Sequence, residues 1–344
     1  MKKVAFYLLL LTQFLAKNTS AQDTHFAQAE FAPLQLNPAL TGAFSHMQII
    51  ANYRNQWNSI ASPYQTIAAS FDIRLQRRDA DNNSFIALGL NFFNDVAGDL
   101  KVTTNQFNLD LAYHIKMGRY SVLRLGIYGG MNQRVLDPNR GNWASQFDGD
   151  GMNSGIASGE NFGSYNQVFM DAGAGVVYTF RKMKYSVNNN INNHVNCGLA
   201  VYHANQPSSS FISLPEDKLA MRISGFINSS FNIPNTQLAV QPAVYVQLQS
   251  KYSEVLFGTY LRYNIRESSH FTGSIKPIAA ALGLFSRYKD AFVAKGYFQY
   301  NQFTVGMAYD FNLSRLTPVS KSRGGFELFL RFNLDDRLNN PSLW

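Results

Sequence analysis

Long stretches of this chain alternate apolar and polar residues one by one, and that pattern limits its folding more than any other feature. In "QFTVGMAYDF", Phe303, Val305, Met307, Tyr309 and Phe311 form one row and Gln302, Thr304, Gly306, Ala308 and Asp310 the other. In "QFNLDLAYHI" the rows are Phe107, Leu109, Leu111, Tyr113, Ile115 and Gln106, Asn108, Asp110, Ala112, His114. "GGFELFLRFNL" sets Phe326, Leu328, Leu330, Phe332 and Leu334 against Glu327, Phe329, Arg331 and Asn333. Successive side chains of an extended chain point to opposite faces, so each stretch reads as a two-faced strand. About 14 such segments are expected, near 46–57, 64–75, 84–94, 101–116, 119–132, 167–181, 194–205, 218–231, 236–248, 253–265, 277–287, 290–300, 302–312 and 324–335. Soluble strands commonly run roughly 5–6 residues and tilted membrane-spanning strands roughly 9–11, and most of these segments are at least that long.

The two rows leave open which side is the solvent, and composition decides it. Charged residues make up 15% of the chain, against roughly 25% in soluble domains. The second rows are small and polar, without the Lys and Glu of a water-washed surface. No stretch beyond the N-terminus suits a spanning helix, since "VFMDAGAGVVYTF" is broken by Asp171. A charge-poor chain that crosses a membrane without helices must close its strands, because backbone polar groups need partners where water is absent. The expectation is therefore all-β: a transmembrane antiparallel outer-membrane β-barrel of about 14 strands over 46–335, apolar rows toward lipid and polar rows toward the lumen.

"MKKVAFYLLLLTQFLAKNTSAQ" opens the chain with Lys2 and Lys3, a short apolar run and small residues at Thr19 and Ala21. It reads as a signal peptide, 1–21, cleaved after Ala21 and too short to span a bilayer. Removing it takes three lysines and no acid, so the net charge falls from +8 to +5. That scattered surplus gives no argument for nucleic acid. The lone Cys197 rules out an internal disulfide framework and reads as a small, mostly buried strand residue.

"YKDA", "YNQF" and "IPNT" read as tight hairpin turns. An even strand count puts both termini on one side, the periplasm, and the long Gly/Asn/Ser-rich link 133–166 on the cell surface. Pro242 cannot donate to a ladder and suggests a bulge. "PIAAALGLFSRY" is apolar on both faces, which fits a barrel plugged from inside or a mistaken strand.

Catalytic and metal signatures are poor. The six histidines are scattered with no HExxH pair, and no GxSxG elbow occurs. "FDGDGMNSG" resembles the start of a calcium loop, but Met152 stands at the fifth position and the acid is displaced, so an Asp-Gly turn is expected. No cofactor and no metal are expected. A barrel hydrolase would need a Ser or Asp beside a His at one rim.

The passage 22–45, "QDTHFAQAEFAPLQLNPALTGAF" with its flanking residues, carries prolines among spaced apolar residues. It suggests a periplasmic cap or partial plug, with Asn37 capping a short helical start. "LNPALTG", with "ANYRNQW" (51–57) and "PYQTIAASFD" (63–72), resembles the PorP/SprF family of Bacteroidota outer-membrane proteins. The likeness continues through "AGDLKVTTNQFNLDLAYHI", "QFDG", "SGENF", "GLAVYHANQPSSSF" and "GGFELFLRF". One departure is the tail, 336–344, running past Phe332, where a family member is expected to stop. The resemblance implies a barrel working with the type IX secretion system, in the cell outer membrane. It implies a role in export or surface retention of particular proteins, gliding adhesins among them, and for some members a periplasmic peptidoglycan-binding partner.

Candidate partner-binding residues are Asn37 and Pro38 of the "NPALTG" motif; Tyr53, Arg54, Asn55 and Trp57; and Gln146, Phe147 and Asp148. Trp, Tyr and Arg dominate interface hot spots. The plainer reading makes Tyr53 and Trp57 girdle aromatics and Arg54 a lumen charge. The competing function is an outer-membrane pore or hydrophobic-substrate channel.

Overall fold

The computed structural model describes residues 23–57, 62–75, 84–137, 140–141, 143–153, 155–159, 165–185, 190–209, 211, 218–266, 276–313 and 322–334. The expected signal segment 1–21 and tail 336–344 lie outside them. The described strands are β1 (Met47–Gln56), β2 (Tyr64–Arg74), β3 (Ser84–Ala97), β4 (Val102–Lys116), β5 (Ser121–Val135), β6 (Asn166–Tyr185) and β7 (Asn190–Tyr202), followed by β8 (Arg222–Asn232), β9 (Leu238–Gln249), β10 (Tyr252–Arg266), β11 (Ile278–Arg287), β12 (Ala291–Tyr300), β13 (Phe303–Asn312) and β14 (Arg323–Leu334). Each expected segment holds one of them. They pair antiparallel in chain order, and β1 closes on β14 in register from Met47↔Leu334 to Gln56↔Gly325, giving a closed barrel with no free sheet edge.

The alternation sorts as expected. In β14, Leu328 and Leu330 are exposed while Glu327, Phe329, Arg331 and Asn333 are buried. In β13, Phe303, Val305, Met307 and Phe311 face out, and Thr304, Ala308 and Asp310 face in. The outer surface is thus an apolar band, as lipid requires. Cys197 corrects the buried position expected of it: it stands on the outward row of β7 with Leu199 and is exposed. Leu330→Arg is expected to destabilise the barrel in lipid by about 2–4 kcal/mol if it sits near the bilayer midplane. Folding titrations into vesicles check the value, and a neutral result would place that row in water.

Tight hairpins rest on left-handed residues in their turns. Asn301 (φ 54°) joins β12 to β13, Lys289 (φ 61°) β11 to β12, and Asn235 (φ 61°) β8 to β9. Pro242 corrects the bulge expected there. The register across β8 and β9 is the same on either side, from Arg222↔Gln249 to Asn232↔Ala239, and only the pairs of Ser229 and Ser230 are missing. The missing N–H is absorbed as a gap in the ladder, where the Ser229 hydroxyl donates to the Pro242 carbonyl at 3.4 Å. The doubly apolar β11 is a true strand. Its inward Ala279, Ala281 and Phe285 are buried against a filled lumen, so neither face meets water.

What fills the lumen is residues 23–45. They form a 3-10 turn (Ala29–Phe31), a single α-turn started by Pro33 (Pro33–Leu36) and a second 3-10 turn (Pro38–Leu40). Phe31, Leu36, Leu40 and Phe44 join one core with Tyr245, Tyr260, Phe285, Tyr297 and Phe329 of the wall. Phe31 stacks on Phe329 with ring centroids 3.7 Å apart. The barrel's hydrophobic core is therefore inside it. The path runs lengthwise, which corrects the expectation of both ends on one side: Asp23 lies beside the β7–β8 and β9–β10 links, whereas Ser45 leads into β1 beside Leu334 at the opposite mouth.

Candidate functional site

The mouth at which Asp23 enters also carries the long links β5–β6, β7–β8 and β13–β14. Antiparallel order alone puts them together, because β1 runs toward this mouth and every even strand leaves from it. Residues 23–30, the strap, descend here through a ring of charged side chains on the inward rows.

At the top, the Asp23 carboxylate lies 2.6 Å from Nε2 of His203 and 3.5 Å from Nε of Arg222, and its backbone N–H donates to Gln249 at 2.8 Å. Nδ1 of His203 lies 2.8 Å from Asp171, whose same oxygen accepts the Tyr128 hydroxyl at 3.0 Å. Two residues on, His25 pairs with Glu254 at 2.5 Å, and its carbonyl accepts from Arg54. The backbone N–H groups of Ala27 and Gln28 donate to the two oxygens of Glu327, at 2.7 and 3.0 Å. Arg54 holds Glu327 at 2.9 Å and Asp310 at 3.6 Å. At the base, Glu30 accepts from Lys295 at 3.3 Å and from the Tyr260 hydroxyl. Buried charges survive only when paired, and each of these has an ionisable partner within 3.6 Å.

Burial opposes a charge on His203, but its hydrogen bonds to Asp171 and Asp23 win and raise its pKa from 6.5 to about 9. Burial likewise opposes charge on Asp23, and His203, Arg222 and Gln249 hold it below the ordinary carboxylate range. A raised folded-state pKa stabilises the contact of Asp23 with His203 and Asp171, the latch of the strap, fully below 6.5, and that stabilisation is lost as pH rises through about 9. Thiol labelling of an Ala27→Cys variant in a Cys197→Ser background is therefore expected to accelerate between pH 7 and 10. With rates divided by those of a free cysteine peptide to remove the thiol's own ionisation, His203→Gln is expected to label fast throughout and to lose that pH step.

The sequence-based candidates separate. Asn37 and Pro38 lie deep in the lumen. The Asn37 side chain accepts from Ala39 N–H at 2.9 Å, the cap expected of it, and donates to the carbonyls of Val176 and Leu199 at 3.2 and 3.0 Å. Gly126 of β5 lets the backbone of Pro38 and Ala39 approach the wall where any Cβ would collide. Arg54 is 2% exposed and bound to the strap. Tyr53 and Asn55 face outward and, with Tyr309, Phe326 and Arg323, line a groove floored by Gly324 and Gly325. Trp57 closes the rim, its N–H donating to Gly324 at 3.0 Å and its ring edge-on to Tyr64 at 5.0 Å.

Gln146, Phe147 and Asp148 sit in the β5–β6 link. The Gln146 amide donates to Ile156 O at 2.9 Å, and its carbonyl accepts Asn153 N–H at 2.8 Å. Asp148 accepts from the N–H groups of Gly151 and Asp150, at 3.1 and 3.2 Å, which hold it below the ordinary carboxylate range. Its oxygens are thus engaged in an Asp-Gly turn. This internal bonding presents Phe147, Met152 and Ile156 outward, all exposed. The strap's partners His203, Asp171, Arg222 and Lys295 were missed by motif reasoning. Their signal was present, as charges on the lumen-facing rows of a charge-poor chain.

The model of the family described as type IX secretion system membrane protein PorP/SprF matches residues 18–332. The chain belongs to that family. It is accordingly an outer-membrane β-barrel of the type IX secretion system, and the matched span takes in the strap and the described barrel up to the last two residues of β14. No curated protein sequence matches the chain. Among solved structures it is similar to the Ralstonia pickettii toluene transporter TbuX (10% identity, 88% of this chain and 94% of that one, TM-score 0.45). It is also similar to the Pseudomonas putida toluene transporter TodX (10% identity, 87% and 93%, TM-score 0.42) and to the translocator domain of the Neisseria meningitidis autotransporter NalP (11% identity, 90% and 96%, TM-score 0.35). Likenesses this distant carry no argument about function. In this chain the "NPALTG" segment packs in the lumen, and "GGFELFLRF" lies in the strand that closes the barrel.

Proposed function

We propose that this barrel serves the type IX system by protein–protein binding, supporting secretion or surface attachment of specific proteins such as gliding adhesins. A periplasmic peptidoglycan-binding partner would meet it from the mouth where β1 begins. The observation that carries this reading is the filled lumen: Phe31, Leu36, Leu40 and Phe44 pack into one core with the wall, leaving the links as the surface for contact. Phe147, with Met152 and Ile156, is the apolar contact on the link with the length to reach a partner, and Gln146 and Asp148 shape it. Tyr53, Asn55 and Trp57 offer a second, aromatic contact at the rim.

The pore or hydrophobic-substrate channel is disfavoured by the same packing. In planar bilayers the protein is expected to be silent at pH 7, and large steady openings would favour the channel. Among the described residues, a hydrolase at His203 is disfavoured by geometry, since both of its ring nitrogens are engaged by Asp171 and Asp23. The binding reading is tested by pull-down in native detergent. Wild type is expected to retain a secreted protein or a component of the machinery, and Phe147→Asp to lose it while remaining folded. Equal capture by both would remove this link from the interface.

A further inference from the structure

The strap is held in a manner that depends little on its own sequence. Asp23 N–H, Ala27 N–H and Gln28 N–H donate to the wall, and the His25 carbonyl accepts from it, so four of its anchors are main-chain groups. Any peptide with the same backbone path could make them. Side-chain requirements reduce to a carboxylate facing His203 and Arg222, a carboxylate facing Lys295 and Tyr260, and a hydrogen-bonding partner for Glu254.

The strap is also an imperfect occupant. The Gln28 side chain is 1% exposed, yet neither its amide nitrogen nor its oxygen has a hydrogen-bond partner. A buried amide left unmade destabilises the bound state of the segment that carries it. The strap is most accessible at its upper end, where the side chain of Asp23 is 25% exposed while Ala27, four residues on, is fully buried.

Resting on the protein-binding reading above, we propose that the cleft around residues 23–30 is a peptide-binding site, filled at rest by the chain's own strap. It accepts an extended partner segment with carboxylates where Asp23 and Glu30 sit. Charge complementarity selects that partner: a chain lacking the two acids would take the strap's carboxylates from Arg222 and Lys295 and leave His203 with Asp171 alone. The strap then works as a tethered competitor, and its high effective concentration keeps weak binders out. The groups facing the latch are Tyr128, Asp171, Arg222, Asp23 and the His203 ring itself, so displacement trades one carboxylate for another and leaves the charge balance of the site unchanged.

The test uses the full-length protein in detergent with Ala27→Cys in a Cys197→Ser background. The probes are a fluorescent peptide copying residues 23–31 and the same peptide with both acids replaced by amides. Asp23→Asn in the chain weakens the strap, and it is expected to bind the acidic peptide about tenfold more tightly than the parent does, with no gain for the amide peptide. Saturating acidic peptide is expected to speed thiol labelling at position 27 by a similar factor. Equal binding of the two peptides, or binding of neither by a barrel that still shows heat-modifiable mobility, overturns the proposal. If Asp23→Asn does not fold, the parent with millimolar acidic peptide decides: faster labelling supports strap exchange, and unchanged labelling overturns it. Failure here would leave the wider binding role standing, because that role is read out in cells.

Discussion

Arg54→Ala is expected to destabilise the folded barrel by about 3–5 kcal/mol, the range for breaking a buried ion pair from one side. Its guanidinium lies 2.9 Å from Glu327 and 3.6 Å from Asp310, and it also donates to Gln56 at 3.0 Å and to the His25 carbonyl. Arg287 still neutralises Asp310, at 3.0 Å, after the change. Glu327 does not fare as well, because its remaining donors are the strap's two backbone N–H groups. The lost stability should therefore appear together with strap release. A lower denaturant midpoint in detergent, with faster labelling at Ala27→Cys, is the joint signature. Arg54→Lys should recover only part of the loss, since an ammonium cannot reproduce the forked contact. A shift below about 1 kcal/mol would mean that Arg54 is not the keystone of this ring.

Gly126→Val is expected to cost at least the 1–3 kcal/mol typical of overpacking, and more where rigid backbone lies in the way. A Cβ at Gly126 would fall on Ala39 N and Cα and the Pro38 carbonyl carbon, which are main-chain atoms of the capped turn and cannot swing aside. Either β5 bends or the luminal segment moves. A thiol placed at Ala39, buried in the parent, should then become reactive. Gly129→Val is the control, because a Cβ there meets nothing within 4 Å and points to the lipid side. Equal stability of the two variants would show that the luminal segment does not press on this strand.

Much of the barrel was legible because a strand's period of two is written directly in residue order. Phe303 to Phe311 and Leu328 to Leu334 separate into lipid and lumen rows with no knowledge of partners. The same rule already splits "YRNQW", sending Arg54 inward and Tyr53 and Asn55 outward, so these residues never formed a single contact surface. Local chemistry was legible too: Asn37 before Pro38 announced a cap, and Asp148 before Gly149 a turn. What residue order could not show was which lumen charges meet. Glu30 finds Lys295 and Ala27 finds Glu327 across almost the whole chain, and those pairings exist only once the sheet has closed. Pro242 misled for a related reason. A missing N–H can be met by a bulge or by a gap in the ladder, and the choice depends on the neighbouring strand.

The most direct measurement is quantitative proteomics of the cell surface and culture medium with and without the gene. A protein-binding barrel of the type IX system predicts that a small set of secreted or surface-attached proteins is lost from those fractions and retained within the cell, and is restored by the wild-type gene. If every such protein keeps its place and amount in the deletion strain, the proposed role is wrong.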